Sequence, residues 1–317
     1  RSAACIARAC GTTDPGAERK AVYLADIAFI YLQKEKTMKV GIENYYLSRY
    51  GLEAGMARMK AHGFDALDYQ YFCDTTCELF TVSEREYEQM LLHVRDVAAE
   101  NGIEISQTHG PWRWPPQDFT EEDRAERFEK MVKSIRGTAI LGCENFVIHP
   151  IMPFGDDKDP EPERFWQMNY EFMGRLCDVA KEYDITVCFE NMPMLALSMS
   201  RPADTLRFVK TLNHPNMKVC LDTGHCSVFR EQPGDAVRLI GKDYLRVLHV
   251  HDNDAAGDRH WLPYTGFIDW EDFNCALHDI GFEGVVSLET SVPPTIPDDL
   301  REYWEIGVAA MAKRLAR

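Results

Sequence analysis

The sequence predicts a closed (β/α)8 barrel of parallel strands. Three observations carry this reading. Eight short apolar or β-branched runs recur along the chain, and stretches of helical periodicity lie between them. No Gly-x-Gly-x-x-Gly comes after the first run, which counts against an open doubly wound sheet.

The runs are Met38–Ile42, Ala66–Tyr69, Glu104–Thr108, Asn145–Ile148, Thr186–Phe189, Lys218–Leu221, Leu245–Val250 and Val285–Leu288. Each is continuous rather than alternating, as expected of parallel strands covered on both faces. Between them, Ser83 and Glu86 have capping-box spacing, and Tyr87, Met90, Leu91, Val94 and Val97 recur at helical intervals until Gly102. Thr120 to Ile135 repeats the plan with Phe128, Met131, Val132 and Ile135. Asp204 to Leu212 and Trp270 to Leu277 do so more briefly.

The 317 residues suit one barrel of roughly 250 residues with insertions. No linker or composition shift interrupts residues 38–317, which are expected to form a single domain. Residues 1–37 are expected to be an N-terminal extension of unclear role before a functional start at Met38. Ala21–Leu32 within it is apolar but too short to cross a membrane, and no run of about 18 apolar residues exists, so no membrane association is expected. The net charge of −16 argues against a nucleic-acid-coating surface. Ten cysteines contain no Cys-x-x-Cys pair; the closest are Cys73 and Cys77, while Cys188 and Cys220 sit in apolar runs. This points to a reducing, cytoplasmic setting without a disulfide framework.

The chemistry shows at the C-terminal edge of each run. In a barrel of this kind the site lies at the C-terminal ends of the strands. There the chain places His109, His149, Glu190, Asp222 with His225, then His249, His251 and Asp252, and finally Glu289. Singly, each has a bland reading as a hydrogen-bonded loop histidine or a capping carboxylate. Jointly they differ, because partly buried anions gathered at one end repel each other unless a cation lies among them. A mixed oxygen and imidazole donor set suits Mn, Co, Mg or Zn without choosing among them.

The motifs Phe-Glu-Asn, Leu-Asp-Thr-Gly-His, His-Val-His-Asp, Asp-Arg-His and Leu-Glu-Thr together resemble the xylose isomerase-like barrel superfamily from about Met38 onward. That group joins sugar and sugar phosphate isomerases and epimerases with endonuclease IV-type enzymes. The resemblance implies one divalent metal ion held by Glu190, Asp222, His249 and Glu289. His251 points the same way as His249 on a strand and is assigned to the substrate side. The resemblance also implies that Glu190 and Glu289 move protons at a carbon next to a carbonyl, through a metal-stabilised ene-diolate of a sugar or sugar phosphate. His109, His149, His225, Asp258 and His260 are then substrate-binding. Trp112 packs on a sugar face or, equally, on its own loop.

Two alternatives accompany this reading. Nine residues match the ligand types of an endonuclease IV-like zinc cluster acting on abasic-site DNA: His109, His149, Glu190, Asp222, His225, His249, Asp258, His260 and Glu289. The acidic chain gives no visible phosphate-backbone surface for that role. Leu262 to Trp270 is similar to an isomerase-like loop, departing at Tyr264 and Phe267. A metal-dependent lyase or dehydratase is the other alternative. A phosphorylated substrate would need a cationic pocket, for which Arg113, Arg230 and Arg259 are candidates. Barrels of this type often pair, so a homo-oligomer is compatible with the sequence.

Overall fold

In the computed structural model, which describes residues 37–317, eight parallel strands are β1 (Lys39–Ile42), β2 (Ala66–Tyr69), β3 (Glu104–His109), β4 (Asn145–Ile148), β5 (Thr186–Glu190), β6 (Met217–Asp222), β7 (Leu245–His249) and β8 (Val285–Leu288). They pair in the order β7-β6-β5-β4-β3-β2-β1-β8. The ring closes between β7 and β8 through Val250, whose N–H donates to Ser287 O at 2.9 Å and whose carbonyl accepts from Glu289 N–H at 3.1 Å. The expected extension, apart from Thr37, lies outside the described residues.

The helices are α1 (Tyr45–Tyr50), α2 (Leu52–His62), α3 (Glu84–Glu100), α4 (Glu121–Ile140), α5 (Pro162–Glu182), α6 (Pro202–Leu212), α7 (Thr223–Val228), α8 (Pro233–Ile240), α9 (Trp270–Ile280) and α10 (Asp298–Leu315). The expected capping box of α3 forms between Ser83 and Glu86, and α4 has a second one between Thr120 and Asp123. Proline at the first position starts α5, α6 and α8, where its missing N–H costs no helical bond. Helix α10 lacks a clean apolar stripe because its inward face carries Arg301 and Glu305. Glu305 is fully buried and accepts from Tyr45, Tyr50 and Arg58 on α1 and α2.

The packing inside the ring sets the site. Val147, Cys188, Cys220 and Val247 form their own apolar cluster. Side chains on a strand alternate faces, so residues two positions on point the same way. Those residues are His149, Glu190, Asp222 and His249, and Ser287 similarly precedes Glu289. An apolar layer thus lies under a layer of ligand-type side chains at the C-terminal end of the barrel. Burial pushes the Cys188 thiol up to about 12, which keeps it a neutral packing group. At the opposite end a hollow of about 430 Å³ is lined by Lys39, Lys242 and Arg246, paired with Glu104, Glu283 and Glu144 respectively. Its charges are internally matched, and the chemistry lies at the other end. No helix among the described residues is long and apolar enough to cross a membrane, and no cysteine pair among them forms a disulfide.

Candidate active site

Four strand ends bring Glu190, Asp222, His249 and Glu289 together, with one ligand atom from each within 4.8 Å of all the others. His249 turns its Nδ1 toward the carboxylates, 2.8 Å from Glu190 Oε1 and 3.4 Å from Glu289 Oε2. Glu190 is 1% exposed at its side chain and Glu289 16%, so Glu289 faces the mouth. Two carboxylates, a third from β6 and an imidazole nitrogen converge without an arginine or lysine among them. That donor set fits a divalent cation.

Local backbone chemistry fixes these side chains. Asn191, next to Glu190, accepts from Asp222 N–H at 2.8 Å and donates to Asp222 O at 3.0 Å, stapling β5 to β6. Asp222 N-caps α7 by accepting His225 N–H at 2.6 Å through Oδ1. Its Oδ2 lies 3.0 Å from His251 Nε2. Thr223 Oγ1 donates to His251 O and accepts from His251 N–H, tying α7 to the segment after β7.

The other residues expected at the site form two flanking groups. On one side His109 Nε2 and His149 Nε2 stand 3.1 Å apart and 3.3 and 3.0 Å from Glu190 Oε2. Arg127, ion-paired with Asp118, donates to His149 O and so holds the end of β4. Trp112 meets the His149 ring edge-on at 4.7 Å, whereas Trp114 is 60% exposed beyond it. On the other side Asp258 Oδ2 lies 3.3 Å from both His225 Nε2 and His260 Nε2. The His260 ring stacks on His251 at 4.1 Å. Of the arginines considered for a phosphate, Arg113 is paired with Glu126 and Arg259 with Asp254. Arg230 lies on the turn after α7.

Electrostatics separates the two glutamates. Burial opposes the charge on Glu190, yet His249, His149 and the contact with His109 hold it well below the usual carboxylate range. Burial and the neighbouring Glu190 and Asp222 raise Glu289 despite His249 and His260. Burial pushes His149 down to about 4, leaving a neutral imidazole at neutral pH. Against its own burial, His225 is raised to about 10 by Asp222 and Asp258.

Sequence reading missed several polar residues here. Asp68 on β2 is fully buried 3.1 Å from His249 Nε2, and Gln107 and Gln70 donate to it. Gln70 also donates to Glu289 Oε1 at 2.9 Å. Glu43 comes directly after β1, and burial with Glu289 and Asp68 nearby raises it to about 8. Asp252, which the sequence marks at the end of β7, accepts from Gly266 N–H, Ile268 N–H and Trp270 Nε1 and so pins the loop before α9. Signals existed for the first and third. Asp68 interrupts an apolar run, and Glu43 is a carboxylate directly after one, the same pattern that marked Glu190 and Glu289.

The family model described as xylose isomerase-like TIM barrel matches residues 56–314. A D-psicose 3-epimerase of Agrobacterium fabrum is 25% identical over 233 residues, covering 70% of this chain and 78% of its own length. A protein of Ureaplasma urealyticum described as a probable endonuclease 4 is 25% identical over 231 residues, covering 67% of this chain and 66% of its own. Among solved structures, a D-tagatose 3-epimerase-like protein superposes with a TM-score of 0.69 at 23% identity, covering 88% of this chain and 97% of its own.

Proposed function

The chain belongs to the xylose isomerase-like TIM barrel family, and from that premise we propose that it is a divalent-metal-dependent epimerase or isomerase of a sugar or sugar-like ketone. The observation that carries this reading is the pair Glu190 and Glu289, delivered from the ends of β5 and β8 into one four-donor cluster. The 3-epimerase relatives support a sugar substrate. Mn, Co, Mg or Zn would be held by Glu190, Asp222, His249 and Glu289. Such a cation supplies charge stabilisation to a carbonyl and neighbouring hydroxyl oxygen as the adjacent carbon loses its proton.

The chain's own residues do the rest. Of Glu190 and Glu289, one in its ionised form takes the proton from carbon, and the other, carrying a proton, returns one from the opposite face. Removal and return on opposite faces inverts the carbon. His109, His149, His225, His251, Asp258 and His260 offer donors and acceptors for substrate hydroxyls, and Trp112 an apolar face beside His149. With Arg113 and Arg259 already paired, the reading favours an unphosphorylated substrate.

The test is to load the protein with Mn or Co and incubate it with free ketoses, D-fructose and D-psicose first, in heavy water. Deuterium appearing on the carbon next to the carbonyl, together with epimer formation, is the expected result. A metal-loaded protein that exchanges no such proton in any ketose would refute the reading. One observation favours a second reading, a zinc phosphodiesterase. The groups His109–His149–Glu190 and His225–Asp258–His260 supply more donors than one cation needs. Close to three zinc ions per chain and cleavage of abasic-site DNA would establish that activity instead.

A further inference from the structure

On the β2 and β3 side of the ring, buried polar side chains take the place of the apolar layer that β4 to β7 form beneath the cluster. Their centre is Asp68, fully buried. Asp68 Oδ2 accepts from Gln107 Nε2 at 3.0 Å and from Gln70 Nε2 at 3.3 Å, and stands 3.1 Å from His249 Nε2. Gln107 is itself held by Leu248 O at 3.3 Å. Asp68 Oδ1 has no hydrogen-bond partner, and His249 Nε2 has none with in-line geometry. A buried ring nitrogen left this way is costly unless a nearby acceptor serves it. Oδ2 is that acceptor, 3.1 Å away, and a small turn of the imidazole would bring Nε2–H in line with it.

We propose that Asp68 is a positioning residue: it accepts a hydrogen bond from the Nε2–H of His249 and so leaves the Nδ1 lone pair for the cation that Glu190 and Glu289 would share with it. The opposite edges of the ring fit this division. Nδ1 faces two carboxylates that belong to the cluster, while Nε2 faces a carboxylate one layer below it. A histidine that binds a metal through one nitrogen generally donates its other N–H to a carboxylate or carbonyl, which fixes the tautomer and strengthens the ligand. Gln70 extends the arrangement, because one amide group bridges Asp68 and Glu289. Asp68 thereby sets the orientation of a ligand on β7 and, through Gln70, of one on β8.

This inference rests on the metal-dependent reading above, and its test keeps the two apart. Cobalt(II) affinity is measured against a competing chelator, with the visible cobalt spectrum, for wild type, Asp68→Asn and Asp68→Ala. Wild type should bind. Both variants should bind about 10- to 100-fold more weakly with an altered spectrum, Asp68→Asn less so because its amide oxygen can still accept from Nε2–H. A merely structural Asp68 would lower the melting temperature and leave affinity and spectrum unchanged, and that result overturns the proposal alone. A wild-type protein that binds no cobalt overturns both this proposal and the metal-dependent reading. If neither variant folds, nitrogen-15 histidine spectra of the zinc-loaded wild type decide. A His249 protonated at Nε2 supports the proposal, and one protonated at Nδ1 overturns it.

Discussion

Glu190 and Glu289 are the same residue type in the same barrel mouth, and their surroundings drive them apart. Three histidine contacts stabilise the charge on Glu190. Glu289 meets His249 but also the field of two other carboxylates. Glu289→Gln keeps the volume and removes both a metal charge and a proton carrier. It is expected to fold normally, by circular dichroism and melting, and to lose at least about 10²- to 10⁴-fold in turnover. Near-normal turnover would remove Glu289 from the chemistry. Glu43 allows a cleaner electrostatic test. Its folded pKa of about 8 lies above the ordinary 4.5, so the metal-free folded state binds that proton more tightly than the unfolded chain. The associated stability is present below 4.5 and is lost as the pH rises through 8. Glu43→Gln should therefore raise the melting temperature of metal-free protein more at about pH 8.5 than at about pH 5. Equal shifts at both values would show that Glu43 is not held protonated.

At the scale of elements, the turn from β6 into α7 is the tightest joint of the site. Asp222 both caps α7 and faces His251, and Gly224 lies directly under the His251 ring. A Cβ at Gly224 would fall 1.9 to 2.6 Å from three ring atoms. Gly224→Ala must swing His251 away from Asp222, and an activity loss of about 10²-fold with a retained fold is expected from such a misplacement. Unchanged kinetics would mean that His251 has no fixed role. Ser83→Ala at the start of α3 is the contrasting case. Loss of that capping box should cost about 1 kcal/mol of stability, read by denaturant unfolding, and leave turnover untouched. The same contrast explains which elements were legible. Helices α3 and α4 announce themselves by caps and apolar spacing. Helix α10 does not, because Arg301 and Glu305 interrupt its inward face, and Glu305 is satisfied by partners distant in sequence.

At the scale of the molecule, the ring gathers Glu43, Asp68, Glu190, Asp222, Asp258 and Glu289 at one end, with histidines beside them. Such a fold stores repulsion that a bound cation relieves. Mn or Co at about 100 times its dissociation constant should stabilise the chain by about 2.7 kcal/mol, measured by denaturant unfolding and reversed by chelator. A protein whose stability ignores both metal and chelator would not be using this cluster as a cation site.

The sequence by itself determined the eight strands nearly to the residue, since continuous β-branched runs bounded by turns have few other outcomes. It also marked the carboxylates and histidines at their ends, because polar groups directly after apolar runs are conspicuous. The tertiary structure alone decided what stands behind them. That Asp68 on β2 faces His249 on β7, and that Gln70 reaches both Asp68 and Glu289, depends on strand register and on closure of the ring, which bring together residues distant in sequence.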